Sequence, residues 1–378
     1  MKVSSLQENL ARGLATVGRA VPVRSTLPQA SHVLLETDAG RLKLVATDLT
    51  IAVTCWIGAT VEEEGAITVP ARLLTDFVAS LPNEKIDLGV SGRAKQLHLQ
   101  CARNEATIAG LDAADFPPVP SVAEGLTLSL PPGILRRAIT QVQFAAATDD
   151  TRPVLTGIHT LAEGNVLTLA AADGFRLAVH HLPLDQDVAE KVEVIIPARA
   201  LREIERLLGE DDEPVEMAIN AARSQVLFRL KTVELVATLI QGTFPNYSQL
   251  IPQSFNSRAE IDMKQFLQET RIAAIFARDG AGIVRLQMEP GEGEKGAGKL
   301  TISARAEEIG DHRGDMDVKL EGEASKIAFN SRYLQDVLSV LESQQVVLET
   351  TNPSSPGVIR PLGDERYVHV VMPMFVQW

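Results

Sequence analysis

The segment Val69-Pro70-Ala71-Arg72-Leu73-Leu74-Thr75-Asp76-Phe77 has two further versions in the chain. They are Ile196-Pro197-Ala198-Arg199-Ala200-Leu201-Arg202-Glu203-Ile204 and the weaker Phe329-Asn330-Ser331-Arg332-Tyr333-Leu334-Gln335-Asp336-Val337. Their arginines stand 127 and then 133 residues apart, close to one third of the 378-residue chain. Other landmarks keep that interval. Ala46-Thr47-Asp48 returns as Ala171-Ala172-Asp173 after 125 residues. Arg24-Ser25-Thr26-Leu27 returns as Arg152-Pro153-Val154-Leu155, and Asp115-Phe116-Pro117 as Thr243-Phe244-Pro245, both after 128. The longer second interval has a visible source, because Pro290 to Lys299 is a Gly/Glu-rich insertion that fits a surface loop. Four landmarks at one spacing define three tandem copies of a domain, placed at 1–123, 124–254 and 255–378. Repeats of this length each build a core, unlike the 20–50-residue units of a solenoid.

Each copy carries two helical signals separated by strand signals. Ser5-Leu6-Gln7-Glu8 matches a capping box, and Leu6, Leu10, Leu14 and Val17 follow at helical spacing. Pro132 opens a second such helix with Leu135, Ala138, Ile139 and Val142 on its stripe. Phe266, Leu267, Thr270 and Ala274 mark a third. The Pro-Ala-Arg segment supplies the other helix of each copy. Short alternating runs such as Leu42–Val45, Gln96–Leu99, Val166–Leu169 and Val226–Leu230 read as strands. The expected unit is two helices and six to eight strands, an α+β layering with helices packed on antiparallel sheet.

Little in the chain suggests catalysis. Gly293-Glu294-Lys295-Gly296-Ala297-Gly298-Lys299 fits the start of a phosphate-binding loop, but Leu300 stands where a magnesium-binding hydroxyl belongs. The following Leu300-Thr301-Ile302-Ser303 reads as a strand, whereas the anion site needs a helix N-terminus. His180 and His181 point to opposite faces of a strand. Seven histidines and two cysteines show no metal-ligand spacing, and no Gly-x-Ser-x-Gly elbow occurs. No cofactor, metal or catalytic residue is therefore expected. Asp149-Asp150 and Asp173 are the best support for a loop-built enzyme site, and Asp211-Asp212-Glu213 reads as a solvated turn. Cys55 and Cys101 cannot frame a disulfide fold, the N-terminus turns polar at once, and no apolar run approaches membrane-spanning length. The expected location is cytoplasmic.

The chain is acidic overall, at −13, which argues against a nucleic-acid partner. The charge is uneven. The six expected helices, at 4–17, 70–81, 132–146, 197–209, 263–276 and 330–342, hold ten basic residues against seven acidic ones. That is +3 on the helices and −16 elsewhere. One reading is a set of solvated arginine faces. The other is six helices lining one surface that meets phosphate without sequence preference.

Three copies, the Val-Pro-Ala-Arg helix, Ala171-Ala172-Asp173-Gly174-Phe175-Arg176-Leu177-Ala178, Phe244-Pro245-Asn246-Tyr247 and the tail Val370-Val371-Met372-Pro373-Met374 together resemble the bacterial replicative sliding clamp, the beta subunit of DNA polymerase III. The resemblance covers essentially the whole chain. It implies a DNA-clamp fold and a head-to-tail homodimer, a ring with helices inside and sheets outside. It implies a processivity function on duplex DNA, without catalysis, with an ATP-driven loader opening the ring. The DNA-facing residues would be Arg24, Arg72, Arg137, Arg152, Arg199 and Arg202. The dimer contact would involve Arg103 and Ile108 on one side and Ile275, Phe276, Glu307 and Glu308 on the other. Polymerase, loader and repair proteins would dock a short peptide in a cleft of Leu155, Ala172, Gly174, Phe175, Arg176, Leu177, Pro245, Gln249, Leu250, Ser355, Val370, Met372, Pro373 and Met374.

The chain departs from the family pattern in three places. Phe375-Val376-Gln377-Trp378 replaces a basic residue and a terminal leucine, Ala172 lacks a hydroxyl, and residues 290–299 are inserted. The alternative function is a repeat scaffold that binds peptides and never encircles DNA.

Overall fold

The computed structural model describes the chain except residues 23–26, 92–94, 121, 123–124, 210–212, 279–280, 292–296 and 307–309. Six α-helices are present among the described residues: α1 (Gln7–Val17), α2 (Ala71–Ala79), α3 (Pro132–Gln143), α4 (Ala198–Leu207), α5 (Met263–Ala277) and α6 (Ser331–Val340). Their starts mostly follow the sequence signals, with one correction. The capping box before α1 does not form. Residues Lys2–Leu6 are a strand, paired on one side with Thr60–Glu63 and on the other with Lys85–Gly89. Ladder bonds take the backbone that a cap would use. Leu6 is the N-cap without a side-chain bond, and the Ser5 hydroxyl instead donates to the Gly58 carbonyl at 2.9 Å. By contrast, Asp262 and Asn330 do cap α5 and α6, each accepting from a backbone N–H of the first turn.

The chain divides into two compact units, residues 1–133 with 199–239, and 134–198 with 240–378. The first contains two antiparallel sheets. One has five strands in the order Thr60–Glu63, Lys2–Leu6, Lys85–Ser91, Gln96–Cys101, Asn104–Ala109. The other has eight, and its centre is the pairing of Val233–Ala237 with Ile51–Cys55. That pairing joins the last strand of the second copy to the first copy. α1 packs on α2 and on strands 41–47 and 51–57, burying Leu10, Leu14 and Val17.

The second unit is built on one sheet of twelve strands. Between its fourth and fifth strands, Arg176–His180 pairs antiparallel with Tyr367–Val371. This is the same joint again, from the last strand of the third copy to the second. The correspondence extends to register. Ile51 pairs with Ala237, and Arg176, 125 residues after Ile51, pairs with Val371. α5 packs on α6 and on strands 297–306 and 310–322. Phe266, Ala273 and Ala277 of α5 and Leu334, Val337 and Leu338 of α6 are buried there.

The stretch that mimics a phosphate loop runs into the strand Ala297–Ala306 rather than a helix; residues 292–296 lie outside the described residues. His180 is buried and His181 exposed, as alternation along a strand requires.

Gly125 opens the second copy at φ +144°, and a Cβ there would stand 1.9 Å from the Ile219 carbonyl oxygen. Backbone cannot yield as a side chain can. Gly125→Ala should cost at least about 2 kcal/mol and lower the thermal midpoint by several degrees. Gly133→Ala, where a Cβ meets nothing within 4 Å, should be neutral or slightly stabilising in calorimetry.

Candidate functional site: an apolar cleft at the second joint

The joint of Arg176–His180 with Tyr367–Val371 creates an apolar floor. Ala170, Leu177, Val179, Val358, Val368 and Val370 form one buried cluster on it. Ala147, Leu155, Ile195 and Phe244 form a second. Ala172 and Tyr247 pack against both and so bridge them. Above the floor stand exposed apolar side chains, Phe175 at 58%, Leu250 at 51% and Met372 at 41%. The Met372 N–H donates to the Phe175 carbonyl at 2.8 Å, which ties the C-terminal segment to the loop before Arg176. Of the expected cleft residues, Leu155, Leu177 and Val370 are thus floor. Gln249 and Leu250 lie on the exposed turn Ser248–Leu250, next to exposed Pro245. Ser355 sits half-buried in the turn leading to strand Gly357–Pro361, whose Val358 is floor. Pro373 and Met374 continue the tail, half-buried, and the Met374 N–H donates to the Ala328 carbonyl.

The loop Asp173–Arg176 has its own internal logic. The Asp173 carboxylate accepts from the backbone N–H of Phe175 and Arg176 at 2.9 and 3.0 Å. Gly174 holds φ +95°, and a Cβ there would come within 2.7 Å of an Arg152 guanidinium nitrogen. Only glycine gives both the backbone turn and room for that arginine. The first copy repeats the turn, with Asp48 accepting from Thr50 and Ile51 at 2.9 and 2.8 Å.

Arg176 is an anchor rather than an open contact. Its Nε bonds Asp173, its Nη1 bonds Asp336 at 2.6 Å, and its Nη2 donates to the Phe144 carbonyl at 2.6 Å. Its guanidinium lies 4.5 Å from the Tyr333 ring centre and 5.3 Å from that of Phe144. The planar fork thereby ties α6 and the end of α3 to the loop of the cleft. Tyr333, Asp336, Phe144 and Tyr247 are missing from the residues expected of this site. Asp336 is 160 residues from Arg176, and no spacing signal connects them. Tyr247 lies within the Phe-Pro-Asn-Tyr motif and was within reach of it.

The expected DNA-facing arginines divide. Arg24 lies outside the described residues. Arg72 and Arg202 are exposed on α2 and α4. Arg199 pairs with Asp48 and also donates to the Arg19 carbonyl at 3.3 Å, so it fastens the first joint. Burial opposes ionisation of Asp48, yet bonds from Thr50 and Ile51, with Arg199 beside them, hold it below the usual carboxylate range. Arg137 reaches Asp364 at 3.5 Å and Glu342 at 3.8 Å. Arg152 donates to the Asp173 carbonyl at 2.8 Å, at the rim of the cleft. Three of the six arginines are therefore engaged within the chain.

At the expected dimer contact, Arg103 is exposed beside the edge strand Asn104–Ala109, which also carries buried Ile108. Ile275 is 62% exposed on α5, and half-buried Phe276 stacks on His312 with ring centres 5.7 Å apart. Glu307 and Glu308 lie outside the described residues. Strand Gly310–Gly322 pairs with 297–306 over 310–319, and its other side is paired only at 319–322. Among the described residues the 310–318 stretch thus has a free edge. Asn104–Ala109, the last strand of its sheet, has another. No helix among the described residues is long and apolar enough to cross a membrane, and no cluster of three metal-ligating side chains occurs among them.

Repeated helix-on-sheet domains, joined strand to strand with exposed apolar side chains at one joint, define a tandem-repeat α+β protein. Comparison with known proteins narrows that class. The N-terminal, central and C-terminal domains described for the DNA polymerase III beta subunit match residues 1–120, 129–246 and 248–375. A beta sliding clamp of Synechocystis is 34% identical, and one of Synechococcus elongatus 32%, each alignment covering 99% of both chains. The DNA polymerase sliding clamp of Bacillus subtilis superposes with a TM-score of 0.94 at 28% identity over all of both chains. A Pseudomonas aeruginosa clamp solved with griselimycin bound gives 0.90 at 30% identity, again over all of both chains. The chain belongs to the DNA polymerase III beta subunit family.

A chain of histidines and aromatics crosses the second joint. His180 bonds Gln141 at 2.8 Å, and the rings of His180, Tyr367, His369 and Phe144 follow in contact. Burial, with Arg137 adding to it, pushes His180 down to about 4. Burial, with Arg176 adding to it, pushes His369 down to about 3. Both are neutral in the folded chain and charge more readily when unfolded, near the ordinary 6.5. Their contribution is present above pH 6.5 and is lost as pH falls toward 4 and 3. Between pH 7 and 5 this amounts to about 2 kcal/mol per histidine. Urea unfolding should therefore show the second unit weakening over that range, and His180→Gln should flatten the dependence.

Proposed function

We propose that this chain is a DNA sliding clamp, a protein that encircles duplex DNA and tethers the replicative polymerase and other DNA-processing proteins, conferring processivity. The observation that carries this reading is the match of all three beta-subunit domains across the whole chain. The clamp has no chemistry of its own and works in the cytoplasm. Its three domains, at 1–123, 124–254 and 255–378, are equivalent copies of one clamp unit.

The joints within the chain support a strand-to-strand contact between two chains. Twice within the chain, the last strand of one copy adds to the free edge of the preceding copy. Strand 104–109 is the last strand of the first copy, and 310–318 offers the corresponding edge in the third. A second chain supplies each with its partner, head to tail, with Arg103 and Ile108 meeting Ile275, Phe276, Glu307 and Glu308. The contact is heterologous, so it closes only if its rotation does.

Arg72 and Arg202, with Arg24, hold phosphates loosely. Arg137, Arg152 and Arg199 contribute mainly positive potential, since Arg137 is ion-paired and the other two are hydrogen-bonded to groups of the chain itself. Such contacts carry no sequence information, which a sliding protein requires. The cleft at the second joint takes the peptide segments of polymerase, loader and repair proteins. Met372, Met374 and the exposed apolar rim suit several related sequences.

The test is topological. Chains placed on circular DNA by an ATP-driven loader should stay bound, and should leave when the circle is cut. Arg72→Glu with Arg202→Glu should shorten residence on the intact circle. Retention on linear DNA with free ends overturns the clamp reading. Failure to be retained on circles, with peptide binding intact, favours the non-encircling scaffold.

A further inference from the structure

Three residues under the cleft form a polar line where the fold does not require one. His159 lies on strand Gly157–Glu163, 5% exposed. Its Nε2 is 2.9 Å from the Glu193 carboxylate, and its Nδ1 is 3.5 Å from the Tyr247 hydroxyl. The imidazole stacks on Phe244 with ring centres 5.1 Å apart. Tyr247 meets Phe244 and His159 edge-on, at 6.1 and 5.6 Å. Glu193 is 46% exposed on the sheet's edge strand, so the line runs from solvent to the floor of the cleft.

The internal repeat supplies a control. Strand pairing places His159 opposite Ile195 and Leu161 opposite Glu193. In the first copy the same pairings are Leu34 with Thr68 and Glu36 with Ala66. His159 and Glu193 thus correspond to Leu34 and Ala66. Tyr247, three residues after Phe244, corresponds to Val119, three after Phe116. Leu34 and Val119 line a groove of about 440 Å³ on the first joint. The same fold is therefore built there from aliphatic side chains. A buried histidine costs free energy unless its nitrogens are satisfied, so placing one at the second joint calls for a role other than filling space.

We infer that His159, oriented by Glu193, is a positioning residue for the partner cleft, which fixes the Tyr247 side chain in the floor. The inference rests on the reading of the cleft as a peptide site. The Glu193 carboxylate can only accept, so Nε2 carries the proton and Nδ1 is left to accept from the tyrosine hydroxyl. That bond removes rotational freedom from the phenol and holds the bridge between the two apolar clusters in one place. A preset floor lowers the ordering cost when a peptide binds.

The test uses the full-length protein and a labelled hexapeptide rich in leucine and phenylalanine, set against the same peptide with those residues replaced by serine. The unmodified chain should bind only the apolar peptide. His159→Phe, Glu193→Ala and Tyr247→Phe should each weaken binding about 5-fold. His159→Phe combined with Tyr247→Phe should be no weaker than either alone, because one interaction is lost once. Retention on circular DNA should not change. Wild-type affinity in all three single variants, or losses that multiply in the double variant, overturns the inference. Should His159→Phe misfold, Glu193→Ala on the exposed edge carries the test with Tyr247→Phe. If the unmodified chain is retained on DNA and binds no apolar peptide, the cleft reading fails and this inference fails with it.

Discussion

The structure depends on one kind of contact, the antiparallel pairing of a copy's last strand with the free edge of the copy before it. A strand edge is a row of unsatisfied N–H and C=O groups, and proteins must cover or blunt it. Here the edge is used. Each joint merges two smaller sheets into one of eight or twelve strands. The backbone bonds make the link specific in register, and side chains on both faces then decide what else the joint can do.

The two joints have diverged. At the first, Arg199 and Asp48 pair across the copies, and Leu34 and Val119 line an open groove on the sheet face where the second joint carries His159 and Tyr247. At the second, Arg176 draws Asp173, Asp336 and the Phe144 carbonyl together, and the face above carries the apolar cleft. Buried ion pairs add little net stability, because desolvation offsets much of the attraction. Their value is geometric. Arg176 places the Gly174–Phe175 loop, and the loop receives the Met372 N–H, so the cleft wall and the domain joint are held by the same residues.

Much of this was legible in the sequence because it is written at long, regular intervals. The three arginines and the Asp48–Asp173 correspondence located the repeat, and 3.6-residue spacing located six helices. What was not legible depends on contacts between distant residues. Arg137, Arg152 and Arg199 read as free positive charges. Their partners lie elsewhere, Asp48 being 151 residues from Arg199. The capping box at Ser5 met every local criterion and lost to strand pairing, over residues 2–6 on one side and 2–4 on the other. The free edges at 104–109 and 310–318 could not be seen until the pairing was known.

The net charge of −13 now has a place in the account. In the proposed ring, arginines that are few and partly engaged would hold DNA weakly at any one point, and the hold would come from closure rather than affinity. That makes closure the central claim, and native mass spectrometry at micromolar concentration tests it most directly. A closed pair of 40.8 kDa chains should give a single species at twice that mass. A species at 40.8 kDa, or a ladder of open multiples, would contradict it.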